Sequence, residues 1–489
     1  MAEAQGHMDR LTSLDASFLT NEKGPSHMHI GAVAIFEGPP PRYEELIDHI
    51  GSRLHLVPRY RQKLAIPPVE TGRPFWVDDP SFNLTYHVRH AALPAPGDEE
   101  QLRRRVARVF SQRLDRSKPL WELWLVQGLK RKRFALISKT HHALVDGVAG
   151  VDIATVLFDF KPTAETPASE REWHPQPEPT AAELAAKGVE GLAKTPLRLA
   201  RRLESAVRHP ATTLSEAREA LEGVTDVAGA LASPAPSVPL NTRIGSHRRF
   251  VWRRARLDDL KEIKRELGGT VNDVVLAVVA GALRSWLQAR GVATDDLELR
   301  ALVPISIRTA DGRGELGNQI AAMRGPLPVS YEDPMERLEA VCAGMSHVKS
   351  SKQAVGAEVI SRFNDFAPPT LLAQASRLNF STRLFNLIVT NIPGPQFPLY
   401  LRGRKLLDIF PIAFLPENHA LAIAIMSYDG GINFGLLADH DSMDDVEAIG
   451  IAIGAEIESL LERARSARAG TAARSAGEPA ESEETASAG

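Results

Sequence analysis

The sequence predicts an α/β protein built in layers, with two halves of similar element content. Three observations carry this expectation. Apolar, β-branched runs alternate with apolar residues at helical spacing through most of the chain, the pattern of layered α/β proteins. The composition breaks between Lys161 and Pro239, where Pro, Ala, Glu and Thr dominate. The length, 489 residues, exceeds what one ordinary core fills.

In the first half (residues 1–160), Met28 to Phe36 is apolar and partly β-branched, and Gly38-Pro39-Pro40-Pro41 ends it, which predicts a strand. Tyr43, Leu46, Ile47 and Ile50 recur at helical spacing. Asp98 with Gln101 reads as a capping box. It opens a helix whose buried face is Leu102, Val106, Val109, Phe110 and Leu114. Trp121–Leu129 and Phe134–Thr140 read as two strands around the polar turn Lys130 to Arg133. Val148 to Phe158 reads as a buried helix.

The connector (residues 161–247) opens with a Pro/Glu/Thr-rich linker, Lys161 to Thr180. An Ala-rich helical pattern follows, from about Ala181 to His209. Between Leu184 and His209, the six basic residues Lys187, Lys194, Arg198, Arg201, Arg202 and Arg208 outnumber the two acidic ones, Glu190 and Glu204. That charge suits a helix on a membrane surface. It equally suits a helix that bridges two domains. Ala232 to Pro239 closes the connector.

In the second half (residues 248–465), Thr270 with Asp273 reads as a second capping box. Val274, Val275, Val278, Leu283, Trp286 and Leu287 make the helix that follows strongly apolar. Leu299–Ile307 reads as a strand, Met335–Val348 as a helix, and Leu384–Val389 as a strand running into the polar pair Thr390-Asn391. Ala420–Tyr428 and Ile432–Ala438 form a hairpin around Asp429-Gly430-Gly431. Ser442 is the expected cap of a last helix ending near Arg465. Residues 466–489 are Ala/Ser/Glu-rich and read as a disordered tail.

The formal net charge of -3, from 58 basic and 61 acidic residues, argues against a nucleic-acid partner. The single cysteine, Cys342, can form neither an internal disulfide nor a Cys-rich zinc site, which fits a reducing, cytoplasmic compartment. It lies in a helical pattern and reads as a small buried residue. The polar start, Met1 to Arg10, has no signal-peptide core. No run of about 18 apolar residues occurs, so any membrane contact is expected to be peripheral.

The chemistry concentrates in His141-His142-Ala143-Leu144-Val145-Asp146-Gly147. The segment follows a strand and precedes a helix, a common seat for functional side chains. Histidine takes up a proton near neutral pH, which an alcohol or amine attacking an acyl group requires. Adjacent side chains in an extended segment point opposite ways, so one histidine faces the substrate and the other packs inward. Asp146 and Gly147 fit a turn that closes the loop. A structural role for both histidines stays open. A metal site needs further ligands, and no His-x-x-x-His or Cys-x-x-Cys pattern lies nearby, so no metal is expected.

His-His-x-x-x-Asp-Gly resembles the signature of the CoA- or carrier-dependent acyltransferases that include chloramphenicol acetyltransferase and peptide-synthetase condensation domains. Other segments resemble one branch, the bacterial wax ester synthase/diacylglycerol acyltransferases: Leu14 to Leu19, Leu114 to Glu122, His247 to Phe250, Thr270 to Val274, Val303 to Arg308, Asn318 to Pro328, and Asn391 to Pro395. The resemblance spans Leu11 to Leu461. It implies two chloramphenicol-acetyltransferase-like domains joined by a crossover, with a tunnel between them. It implies His142 as general base, His141 in support, Asp146 as a structural anchor with Arg308 as its partner, and Gly147 as the turn. The substrates implied are acyl-CoA, as co-substrate with no cofactor, and diacylglycerol or a long-chain alcohol. The enzyme is then expected at the inner face of the membrane or at lipid inclusions. Two other readings stay open: a condensation-type transferase acting on another hydroxyl or an amine, and a non-enzymatic lipid-surface protein. The loop Thr390-Asn391 is a candidate oxyanion donor, or Asn391 to Pro395 is only a rigid turn. Asn272 is a capping-region residue or a catalytic one. Pro411 to Phe414 is more apolar than the resemblance leads one to expect.

Overall fold

The structure, a computed structural model, describes residues 8–68, 73–144, 157–163, 173–187, 234–306, 320–350 and 380–477. The first half runs β1 (Asp9–Arg10), α1 (Ser13–Asn21), β2 (His29–Glu37), α2 (Tyr43–Gly51), β3 (Gln62–Ala65), β4 (Phe75–Asp78), the short α3 (Leu84–His87), β5 (Val88–Ala92), α4 (Glu99–Phe110), β6 (Trp121–Leu129) and β7 (Arg133–His141). The second half runs β8 (Arg248–Arg256), α5 (Leu257–Leu267), α6 (Val271–Ala289), β9 (Leu299–Ser306), β10 (Ile320–Leu327), α7 (Pro334–Ser350), β11 (Leu387–Pro393), β12 (Tyr400–Leu401), β13 (Arg404–Ile412), β14 (Leu421–Tyr428), β15 (Gly431–Asp439) and α8 (Val446–Gly477).

Local chemistry explains most boundaries. Asp98 accepts from the Gln101 backbone N–H at 3.0 Å, and the Asp98 N–H donates to the Gln101 side chain at 3.1 Å, which closes the capping box of α4. Thr270 and Asp273 do the same at α6. Asp429 and Gly430 both have positive φ, as a two-residue turn between β14 and β15 requires. α6 is apolar because it is interior: Val274 to Val279 are fully buried, and it packs against α5, α7 and α8.

Two six-stranded sheets dominate. The first has the order β12-β13-β2-β7-β6-β5, and the second β10-β9-β11-β14-β15-β8; β1, β4 and β3 form a small third sheet. The first sheet is not built from the first half alone. β13 pairs antiparallel with β2, from Leu406 opposite Phe36 to Ile412 opposite Gly31, with a register shift between Leu406 and Asp408. One apolar core runs from Leu11 to Ala464 through both halves.

The structure corrects several expectations. Strand β11 runs on to Pro393, so Thr390 and Asn391 lie in a strand, paired in parallel with Ala424 and Ile425 of β14, not in a loop. Ser442 does not cap α8: its N–H and hydroxyl both donate to Asp439, and the helix starts at Val446. That helix runs to Gly477, past Arg465. Its Ala/Arg-rich continuation reads as low complexity, but both residues favour helix, and Arg465 and Arg468 reach Glu262 of α5 at 3.8 and 3.7 Å. Most of the expected helix 148–158 and of the basic helix 181–209 lies outside the described residues, as does 478–489; residues 181–187 are helical.

Candidate active site

The site is assembled at the end of β7 from three distant stretches of chain. Pairing of β2 with β7 sets His29 opposite His141. The His141 backbone N–H donates to Leu120 O (2.9 Å) and that of His142 to Met28 O (2.8 Å), so the turn after β7 is fixed on both sides. Helix α1, capped by Thr12, which accepts from the Asp15 N–H at 3.1 Å, lays Phe18 against the same turn. Phe414 arrives just past β13.

His142 is enclosed by aromatic rings. Phe18 stacks on it with ring centroids 3.9 Å apart and planes at 17°, and Phe414 meets it edge-on at 5.6 Å. Phe380 closes the group, 6.2 Å from Phe18 and 5.7 Å from Phe414. Nδ1 of His142 is buried and meets no hydrogen-bond partner of full geometry among the described residues. Burial pushes the ring's pKa down to about 4, partly opposed by a hydrogen bond to its own backbone. The ring is therefore uncharged at neutral pH and open to a proton. Phe414, the last residue of the apolar run 411–414 that the resemblance did not lead one to expect, supplies part of this wall.

His141 faces different surroundings. Its Nδ1 accepts from the Ala143 backbone N–H at 3.0 Å, so the proton sits on Nε2, which faces Glu22 at 3.5 Å. The same carboxylate meets Nε2 of His29 at 3.4 Å and Nε of Arg116 at 2.9 Å. Burial alone would raise the Glu22 pKa. The facing Nε2 groups of His29 and His141, 3.4 and 3.5 Å away, outweigh it and hold the carboxyl well below its usual range. Burial in turn holds His141 and His29 below the ordinary imidazole value, against the pull of Glu22. Glu22 thus ties together α1, β2, β7 and the segment that carries Arg116. Sequence reasoning missed it. The available signal was an acidic residue just past the Leu14–Leu19 segment, followed by two alternating histidines, His27 and His29.

Lys139, two residues before His141, is buried and donates from Nζ to Val109 O (3.0 Å) and Gln112 O (2.6 Å), tying β7 to the end of α4; burial lowers its pKa to about 8. Arg248 bridges the halves, donating to Gly245 O at 2.7 Å and to Pro25 O.

A second polar group forms between β11 and α6. Nδ2 of Asn391 donates to Oδ1 of Asn272 at 3.4 Å. Asn272 sits inside the first turn of α6, past the Thr270 cap. Strand β9 pairs with β11 only at Leu387 and Ile388, so the β9 side of Thr390 and Asn391 lies outside that ladder. Among the described residues no hydrogen bond or ring contact joins this pair to His142. Asp146, Gly147 and Arg308 lie outside the described residues. Among the described residues no group of three His, Cys, Asp or Glu side chains converges as a metal site.

Comparison with known proteins adds to this geometry. A family model described as the wax ester synthase/diacylglycerol acyltransferase catalytic domain matches residues 11–275, and one described as the WS/DGAT C-terminal domain matches 316–461. A Mycobacterium tuberculosis protein named as a probable diacylglycerol O-acyltransferase is 32% identical over 442 residues, covering 90% of this chain and 92% of the relative. A Mycobacterium bovis relative of corresponding name gives the same figures. The solved structure of a wax ester synthase/diacylglycerol acyltransferase from Marinobacter aquaeolei VT8 superposes with a TM-score of 0.67 at 26% identity, covering 93% of this chain and 99% of that one. The starter condensation domain of rhizomide synthetase shares the fold, with a TM-score of 0.58 at 13% identity, over 94% of this chain and 95% of that one.

Proposed function

We propose that this chain, which belongs to the wax ester synthase/diacylglycerol acyltransferase family, uses His142 as the general base of acyl-CoA-dependent O-acyl transfer to diacylglycerol or a long-chain alcohol. The observation that carries this reading is the buried His142 ring at a strand end, stacked on Phe18, met edge-on by Phe414 and backed by Phe380, which packs on both. Aromatic walls suit long alkyl substrates and exclude water, which strengthens charge interactions inside the site.

The acceptor hydroxyl gives its proton to His142 as its oxygen attacks the thioester carbonyl. Nδ1 is buried, which leaves Nε2 to receive the proton. A ring with a depressed pKa is a weak base at rest. The negative charge that develops on the substrate oxygens beside it offsets the cost of charging it. Collapse of the tetrahedral intermediate re-forms the carbonyl and breaks the C–S bond, and the departing thiolate takes the proton back from His142. No acyl-enzyme and no cofactor beyond the acyl-CoA co-substrate are needed. Asp146 and Arg308 are the anchoring pair of this reading, and Asn391, braced by Asn272, is its candidate oxyanion donor. Because the acceptors are lipids, the enzyme works at the periphery of a membrane or a lipid inclusion.

The test is purified enzyme with palmitoyl-CoA, offered diacylglycerol and hexadecanol in competition, with the lipid products resolved. His142→Ala should lose about 10²–10⁴-fold in turnover. Turnover at the wild-type level in a folded His142→Ala variant refutes the assignment.

A further inference from the structure

We infer that Glu22 is a positioning residue for the reaction: by facing His141 it holds the turn that aims His142 at the acceptor hydroxyl. The inference rests on the reading of His142 as general base and deepens it.

The backbone around His142 is pinned at both of its peptide groups. Its own N–H donates to Met28 O at 2.8 Å, and the N–H of the next residue, Ala143, donates to Nδ1 of His141 at 3.0 Å. The Leu144 N–H closes the turn on His141 O at 2.9 Å. A residue has only two soft backbone dihedrals. Bonds on the peptide groups before and after His142 therefore fix the direction in which its ring leaves the chain. The first of these bonds runs from backbone to backbone and needs no side chain. The second depends on one ring nitrogen: Nδ1 of His141 accepts only while it carries no proton.

Glu22 holds that nitrogen bare. A neutral imidazole without a proton on Nδ1 carries it on Nε2, and Nε2 of His141 faces a Glu22 oxygen at 3.5 Å. Both side chains are buried, so salt and water screen the attraction little. The opposite tautomer would turn a lone pair toward the carboxylate and an N–H toward the Ala143 N–H, two unfavourable contacts in place of two favourable ones. The carboxylate is itself anchored. Arg116 donates from Nε to Glu22 at 2.9 Å and from Nη2 to Leu19 O at 2.9 Å. Phe18 and Glu22 lie one turn apart at the end of α1, and the Glu22 N–H donates to Phe18 O at 3.1 Å. Phe18 stacks on His142 while Glu22 faces His141, so one helix end holds the cover of the base and the turn beneath it. Among the described residues no hydrogen bond or ion pair joins Glu22 to His142; its effect passes through His141.

The experiment measures kcat and KM of the full chain with palmitoyl-CoA and hexadecanol, in wild type, Glu22→Met and Glu22→Gln, each also combined with His141→Asn. Methionine keeps the length of the side chain and removes the carboxylate; glutamine keeps one oxygen. The Asn side-chain oxygen stands where Nδ1 stood and accepts from Ala143 without help from Glu22. In folded Glu22→Met, kcat should fall by about 10–10²-fold with KM unchanged, and Glu22→Gln should recover part of the loss. In the His141→Asn background neither Glu22 substitution should lower kcat further. Wild-type kcat in folded Glu22→Met, or a raised KM with kcat unchanged, overturns the proposal. Losses that multiply in the combined variants overturn the route through His141. If Glu22→Met does not fold, the Glu22→Gln pair decides by the same criteria. Nitrogen NMR of histidine-labelled protein, with the His141 signal identified by its loss in His141→Asn, should show the proton on Nε2 in wild type and its redistribution in the Glu22 variants; an unchanged His141 signal refutes control of the tautomer by Glu22. Wild-type turnover in His142→Ala strikes the functional reading instead, and the His141 spectrum, which needs no turnover, still decides what Glu22 does.

Discussion

Truncating Phe18 to alanine removes the ring stacked 3.9 Å from His142 and tests why that histidine is neutral. The distance between its ordinary pKa and about 4 corresponds to about 3 kcal/mol against charging the ring. Burial is the principal cause, and Phe18 covers one whole face. A base works in its neutral form, so a depressed pKa keeps the wild-type ring competent at every pH above about 4. Opening that face to water makes charging easier and raises the pKa, so activity is lost first on the acid side. The acid limb of kcat/KM against pH should move up by about one unit in Phe18→Ala, with the plateau near pH 8 keeping its position. Phe18→Leu keeps an apolar cover and should leave the limb in place. Loss of a buried phenyl ring also costs about 3–5 kcal/mol of stability, so circular dichroism must confirm folding at the assay temperature. A folded Phe18→Ala enzyme with the wild-type acid limb refutes burial by Phe18 as the cause.

Two further substitutions probe the frame around the site. Glu22→Gln leaves one side-chain oxygen where His29 and His141 each need an acceptor, and should cost about 1–3 kcal/mol in thermal or denaturant unfolding. Because the Glu22 pKa is depressed, its stabilisation is present above the ordinary carboxyl range and fades as pH falls, so the wild type should lose stability more steeply below about pH 5 than the variant; parallel acid limbs would count against the cluster. Gly31→Ala places a Cβ 1.9 Å from Ser138 O and 2.9 Å from the Phe110 ring, inside the β2–β7 ladder. It should destabilise by more than about 3 kcal/mol or abolish soluble expression, and an unchanged melting temperature would show that the two strands part easily.

What could be read from sequence was what is local. The capping boxes at Asp98 and Thr270 involve residues three apart and formed as expected, and so did the Asp-Gly turn after β14. The position of His141-His142 at the end of a strand followed from hydrophobic pattern alone. What stayed hidden depends on partners far along the chain. Glu22 meets His141 across more than a hundred residues, and nothing in its own neighbourhood announces an ion-pair hub. The strand character of Thr390 and Asn391 comes from β14, which supplies the hydrogen bonds that a polar pair beside Pro393 gives no reason to expect. The helical stretch past Arg465 was masked by its small-residue composition, although Glu262 waits on α5 to receive its arginines.

The placement of β13 bears on how this protein can be taken apart. A cut in the connector yields two fragments, but the first lacks the strand that covers β2, leaving an unsatisfied edge from Gly31 to Phe36. It also lacks Phe414, the edge-on ring beside His142. Fragments expressed separately would be prone to misassembly and would regain activity only by complementation. Chimeras that exchange halves between relatives have the same constraint. The seam of such a graft cannot follow the sequence midpoint; residues 400–414 must travel with the first half, or be matched to it, for the graft to carry a complete site.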